Sequence, residues 1–96
     1  MPTLLIADDH PLFREALRGV VSRVLPDYAL READSAQALY ALTEAEPDAD
    51  LLLLDLNMPG AHGFSVLVHL RAQHPQLPVV VVSAQEDPAV MRRALD

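Results

Sequence analysis

The chain has 96 residues, a formal net charge of −7 and no cysteine, which bounds it to one small domain and excludes disulfides and thiolate metal sites. All seven basic residues are arginine, and this acidic balance argues against the segment holding nucleic acid or an anionic membrane by itself. With 51% hydrophobic but only 4% aromatic residues, the chain is not a disordered one and its core must be largely aliphatic.

The first apolar run, Thr3-Leu4-Leu5-Ile6-Ala7, follows the start so closely that no signal peptide fits, and no run approaches a membrane span; together these predict a cytoplasmic protein. The run stops at Asp8-Asp9, and His10-Pro11 opens a helix, with proline suited to the first turn and an upstream aspartate available as a cap. Leu12, Phe13, Ala16, Leu17, Val20, Val21 and Val24 recur there at helical spacing, with Arg14, Glu15, Arg18 and Arg23 opposite. Tyr28 to Ala33 alternates as a more exposed second strand at a sheet edge. Asp34-Ser35 is a cap signal for a second helix whose stripe is Ala38, Leu39, Leu42 and Ala45.

Leu51-Leu52-Leu53-Leu54 is a short unbroken apolar run ending in Asp55 and the Pro59-Gly60 turn signal, the pattern of a central strand buried on both faces. Phe64, Val66, Leu67 and Leu70 mark a third helix ended by His74-Pro75. Pro78 to Ser83 reads as a fourth buried strand, and Asp87-Pro88 starts a last helix. Strand–helix alternation four times over predicts right-handed crossovers and an α/β domain with a parallel sheet covered on both faces.

Parallel connection gathers every strand's C-terminal end on one edge, where ligands bind in open α/β sheets. Asp8 and Asp9 end strand one, Asp55 ends strand three and Ser83 ends strand four, so neighbouring strands one, three and four would bring three carboxylates and a hydroxyl into one crevice. Like charges so placed repel unless a cation intervenes. Mg²⁺ answers this, being hard, oxygen-seeking and content with one or two carboxylates plus waters and phosphate. A carboxylate beside it can attack a phosphoryl group to give an acyl phosphate. Each piece alone has a blander reading, as helix cap or strand end; the joint pattern is far stronger. His10, His62, His69 and His74 share no ligand spacing and read as solvent-facing or capping histidines.

With these motifs in place, the chain resembles a response-regulator receiver domain of two-component signalling over its whole length, residues 1–96. Asp8-Asp9 matches the family's acidic pair, Asp55 its phosphoacceptor, and Asp55-Leu56-Asn57-Met58-Pro59-Gly60 with Gly63 its D-x-x-M-P-G-x-x-G loop. Ser83-Ala84 matches the hydroxyl residue and its small follower. The segment from Asp8 to Leu17 is especially similar to receivers of the LuxR/NarL class, which precede a helix-turn-helix DNA-binding domain. The resemblance implies a flavodoxin-like (CheY-like) fold with strand order 2-1-3-4-5. It implies Mg²⁺ on Asp9, Asp55 and the Asn57 backbone carbonyl, with Asp8 acting through water. It also implies that Asp55 takes a phosphoryl group from a histidine kinase, and that Ser83 turns toward it while the Met58 and Ala84 backbone N–H groups help hold it. The module would be a switch controlling a transcriptional output domain, and not a multiple-turnover enzyme.

The chain departs from that pattern in one respect. A complete receiver has a fifth strand carrying a lysine, a switch aromatic and a fifth helix; this chain stops at about its fourth helix and contains no lysine. It is therefore expected to be a truncated receiver of four βα units. Loss of strand five exposes strand four, which predicts homodimers or higher self-association through that edge or through exchanged terminal elements. The alternatives are a phosphorylation-incompetent pseudo-receiver or dimerisation fragment, and, well behind, a Mg²⁺-dependent phosphatase. The haloacid-dehalogenase type of the latter wants Asp-x-Asp after strand one, where this chain has adjacent aspartates.

Overall fold

The computed structural model describes residues 2–58, 60 and 64–82. The elements run β1 (Thr3–Ala7), α1 (Pro11–Val24), β2 (Ala29–Ala33), α2 (Ala36–Ala45), β3 (Leu51–Leu54), α3 (Ser65–Gln73) and β4 (Val79–Val81). Four parallel strands form one sheet in the order β2-β1-β3-β4, parallel as the alternation requires and ordered as the resemblance implies. The fourth helix expected from Asp87-Pro88 lies outside the described residues, as do Pro59, His62, Gly63, Ser83 and Ala84.

Alternation along β1 divides the core. Leu5 and Ala7 point to one face, where Leu52 and Leu54 of β3, Leu39 of α2 and Val66, Leu67 and Leu70 of α3 close over them. Leu4 and Ile6 point to the other, with Val21 and Leu17 of α1, Leu51 and Leu53. Leu5, Ile6, Leu39, Leu52, Leu54 and Leu70 are fully buried, each contributing roughly 1.5–3 kcal/mol of transfer free energy. The leucine run is thus a central strand with both faces covered, although Leu51 and Leu53 are only half-buried.

Three details differ from the sequence reading. In α1 only the Leu17–Val21 seam meets the sheet; Leu12, Val20 and Val24 stand outward at 82%, 54% and 67% exposure. The apolar residues of this helix cover more of its circumference than one sheet face can contact. Asp8 and Asp9 do not cap α1: its N-cap is His10, with no side-chain cap bond, and Pro11 begins the helix. β4 is not a buried strand, since Val80 is exposed and Val79 and Val81 are half-buried. β4 pairs with β3 alone, and among the described residues the sheet ends there.

The other caps follow expectation. Ser35 Oγ accepts the Ala38 N–H at 3.1 Å at the start of α2, and β2 is the opposite outer strand. At the N-terminal edge of the sheet, Asp50 Oδ2 accepts the Thr3 N–H at 2.8 Å and fixes the entry of β3 beside β1.

Candidate functional site: an acidic pocket at the strand ends

Register brings the acids together. Ala7 pairs with Leu54, so the residues that follow them, Asp8 and Asp55, leave adjacent strands side by side. The ladder continues one step beyond: the Asp55 N–H donates to the Ala7 carbonyl at 2.9 Å, and the Asp8 N–H donates to the Ala33 carbonyl at 3.0 Å. Both side chains stay inside, with Asp8 at 0% and Asp55 at 1% exposure. Asp9, one residue further, is half-buried. One ligand-capable atom from each of Asp8, Asp9, His10 and Asp55 lies within 4.8 Å of every other. Two strand ends far apart in sequence therefore meet at one point, as the spacing predicts.

The two buried aspartates are held alike. Asp8 Oδ1 accepts the His10 N–H at 2.6 Å, and Asp55 Oδ1 accepts the Asn57 N–H at 2.9 Å. Each is a two-residue side-chain-to-backbone turn that pins one carboxylate oxygen and turns the chain away from the sheet. The second oxygen of each remains for the pocket. Asp8 Oδ2 is buried and has no hydrogen-bond partner; Asp55 Oδ2 has only His10 Nδ1 near it, at 3.4 Å, among the ion-pair contacts of the pocket. A buried carboxylate oxygen left unpaired is costly. That orphan, in a set of three carboxylates, fits a hard divalent cation.

Burial pushes the Asp55 carboxyl above the ordinary carboxylate range; the Asn57 N–H and the His10 ring oppose the rise, while the Asp8 and Asp9 charges add to it. The His10 imidazole moves up as well, chiefly because of the Asp9 carboxylate, with Asp8 and Asp55 contributing and partial desolvation opposing. Its Nδ1 lies 3.0 Å from Asp9 Oδ1, 3.3 Å from Asp8 Oδ1 and 3.4 Å from Asp55 Oδ2. His10, read from the sequence as a capping or solvent-facing histidine, is thus in the pocket. Its position three residues past the end of β1, directly after Asp9, was the one available signal.

Arg14 was assigned to the solvent face of α1, yet its Nη1 donates to the Asp8 carbonyl at 3.1 Å and its Nε pairs with Glu32 Oε1 at 3.1 Å. It ties the first turns of α1 to the β1 end and to β2. Arg18 adds a second contact to Glu32, at 3.4 Å. Met58 is buried in the larger core cluster at 2% exposure, which anchors the loop after β3, and Asn57 is exposed beside Asp55. At Gly60 φ is +82°, a conformation that favours glycine, and the chain passes Ala36 closely enough that a Cβ would touch it at 3.4 Å. A depression of about 390 Å³ between Pro47–Ala49 and Gln73–Leu77 lies away from the acidic cluster, with Asp48 and His74 its only titratable lining groups.

Residues 4–96 match the response regulator receiver domain family. The chain is 46% identical over 95 residues to a glycerol metabolism activator of Pseudomonas putida, covering 99% of this chain and 43% of that protein. Among solved structures, the receiver domain of the response regulator NarL from Mycobacterium tuberculosis aligns with a TM-score of 0.82 and 34% identity, over 98% of this chain and 75% of that one. RcsB of Salmonella enterica serovar Typhimurium, solved on the rprA promoter with the phosphomimetic BeF3−, aligns with a TM-score of 0.84 and 25% identity, over 100% of this chain and 49% of that one. The chain spans less than half the length of the curated relatives it matches. Among the described residues no helix is long and apolar enough to cross a membrane. The chain belongs to the response regulator receiver domain family, within its LuxR/NarL class, and is a signalling module of two-component systems.

Proposed function

We propose that Asp55 is the phosphoacceptor and that Asp8 and Asp9 hold Mg²⁺ beside it. The observation that carries this reading is the gathering of one ligand-capable atom each from Asp8, Asp9 and Asp55 within 4.8 Å of one another, with Asp8 Oδ2 buried and unpartnered and no cationic side chain other than His10 within ion-pairing reach among the described residues. Asp9 and Asp55 supply direct ligands together with the Asn57 carbonyl, and Asp8 acts through water. The ion supplies neutralisation of the charge that phosphoryl oxygens bring into the pocket.

The chain's own part follows from its hydrogen bonds. The Asn57 N–H holds Asp55 Oδ1, which leaves Oδ2 as the nucleophile. Oδ2 attacks the phosphorus of a phosphohistidine on a histidine kinase. The O–P bond forms as the P–N bond breaks, the electron pair passes to the imidazole nitrogen, and that nitrogen takes a proton from solvent. The Met58 and Ala84 backbone N–H groups and the Ser83 hydroxyl hold the transferred group. The module then acts in the cytoplasm on a transcriptional output domain, as its likeness to a regulator captured on promoter DNA suggests, and self-associates through β4.

Acetyl phosphate and Mg²⁺, followed by intact-mass measurement, test this. A gain of one phosphoryl group that disappears with Asp55→Asn and on chelation of Mg²⁺ is expected. A folded chain that gains nothing is a pseudo-receiver or dimerisation fragment, and continuous phosphate release over many turnovers points to a phosphatase.

A further inference from the structure

His10 is the one member of the pocket that the proposed phosphotransfer does not use. A six-coordinate divalent cation with donors at about 2.1 Å keeps neighbouring donors about 3 Å apart, as octahedral geometry requires. His10 Nδ1 stands at 3.0, 3.3 and 3.4 Å from oxygens of Asp9, Asp8 and Asp55. Those ion-pair distances also match the separations between adjacent ligands of a single ion.

Two further observations point the same way. Asp8 is fully buried and its Oδ2 has no hydrogen-bond partner. Asp9 Oδ1 is buried and makes no hydrogen bond although Nδ1 is 3.0 Å away, so the ring does not aim an N–H at it. Adjacent ligands behave this way, because the nitrogen lone pair points at the ion and the neighbouring oxygen lies off that axis. The ring is also positioned by its own backbone, through the His10 N–H to Asp8 Oδ1 bond at 2.6 Å.

We propose that His10 Nδ1 is a nitrogen ligand of this pocket, so that the site accepts an imidazole-seeking first-row cation of the Zn²⁺ kind in competition with Mg²⁺. The inference rests on the reading of the pocket as a divalent-cation site. Two carboxylates and one imidazole, with Asp8 acting through water, form a mixed donor set of the kind zinc uses, and imidazole nitrogen favours zinc, copper, iron and nickel while magnesium keeps to oxygen. Removing the ring therefore separates the two ions: Zn²⁺ loses a ligand and Mg²⁺ loses nothing it uses.

The test is calorimetric titration of the untagged chain with Zn²⁺ and with Mg²⁺, for the parent, His10→Ala, His10→Gln and Asp9→Asn, alongside long-range ¹H–¹⁵N spectra of the imidazoles. The His10 side chain is 53% exposed, so its replacement does not remove core packing, and circular dichroism checks the fold of each variant. Expected are a Zn²⁺ affinity weakened about tenfold or more in both His10 variants, a Mg²⁺ affinity kept within about twofold, and a Zn²⁺-induced shift at Nδ1 of His10. Equal weakening for both ions, no weakening, or shifts at His69 or His74 in place of His10 overturn the proposal while leaving the magnesium site standing. A parent that binds no Mg²⁺, or an Asp9→Asn variant that binds it undiminished, overturns the cation-site reading and this proposal with it.

Discussion

Asp8 and Asp55 each spend one carboxylate oxygen on the backbone N–H two residues ahead, and this shared device makes one substitution informative. Asparagine at position 55 keeps an oxygen that accepts the Asn57 N–H but removes a buried charge that burial and the neighbouring acids disfavour. Without divalent cations at neutral pH, Asp55→Asn is expected to be more stable than the parent by about 1 kcal/mol or more, read by urea denaturation in EDTA. Magnesium at ten times its dissociation constant adds about 1.4 kcal/mol to the parent, so it should narrow the gap. His10 gives a pH signature of opposite origin. Its folded value is raised above the ordinary 6.5, so the stability it contributes is complete below that value and is lost as pH rises through the folded value. A metal-free parent should thus lose more stability than His10→Ala on going from about pH 6 to about pH 8.5, and equal losses would count against the raised imidazole. At this scale the acids were legible because each follows an unbroken apolar run. His10 and Arg14 were not, because their contacts depend on how the chain turns after Asp9, which no residue spacing specifies.

The elements differ in how openly their sequences declare them. Ser35 announces α2 and does cap it, through the Ala38 N–H at 3.1 Å; Ser35→Ala should cost about 1 kcal/mol by chemical denaturation, with the proposed phosphorylation at Asp55 unaffected. A loss under about 0.3 kcal/mol would mean that water replaces the cap. Helix α1 was readable as a helix but not in its facing, since hydrophobic spacing alone treats Leu12, Val20 and Val24 as equivalent to Leu17 and Val21. The sheet decides between them by offering only the half-face above Leu4 and Ile6. For β4 the expectation of an exposed strand agrees with the structure, whereas its reading as buried from the valine run fails for a related reason. Composition reports what a strand would bury, whereas Val80 is exposed because β4 lies at the margin of the described sheet.

For the molecule as a whole, parallel strands follow from the βα alternation, the order β2-β1-β3-β4 follows from the family resemblance alone, and together they place the acids at one end. The Thr3–Asp50 bond closes the far end. Among the described residues the two outer strands are unlike: β2 exposes Arg31 and Glu32, while β4 is Val79-Val80-Val81 with no charge. Charged outer strands resist pairing and apolar ones invite it. Light scattering over a concentration series should therefore show association that Val80→Lys abolishes; association that persists in that variant would have to use another surface.

That unlikeness also limits how far such growth can run. Under the proposed pairing through β4, a particle with one adhesive flank and one repelling flank would have nothing left to offer once two adhesive flanks had met, and its stoichiometry would stop at two. Were both flanks bare valine, each addition would present a fresh template and the product would be a filament. Arg31 and Glu32 would then serve as terminators, and neutralising them should turn a finite pair into an open polymer.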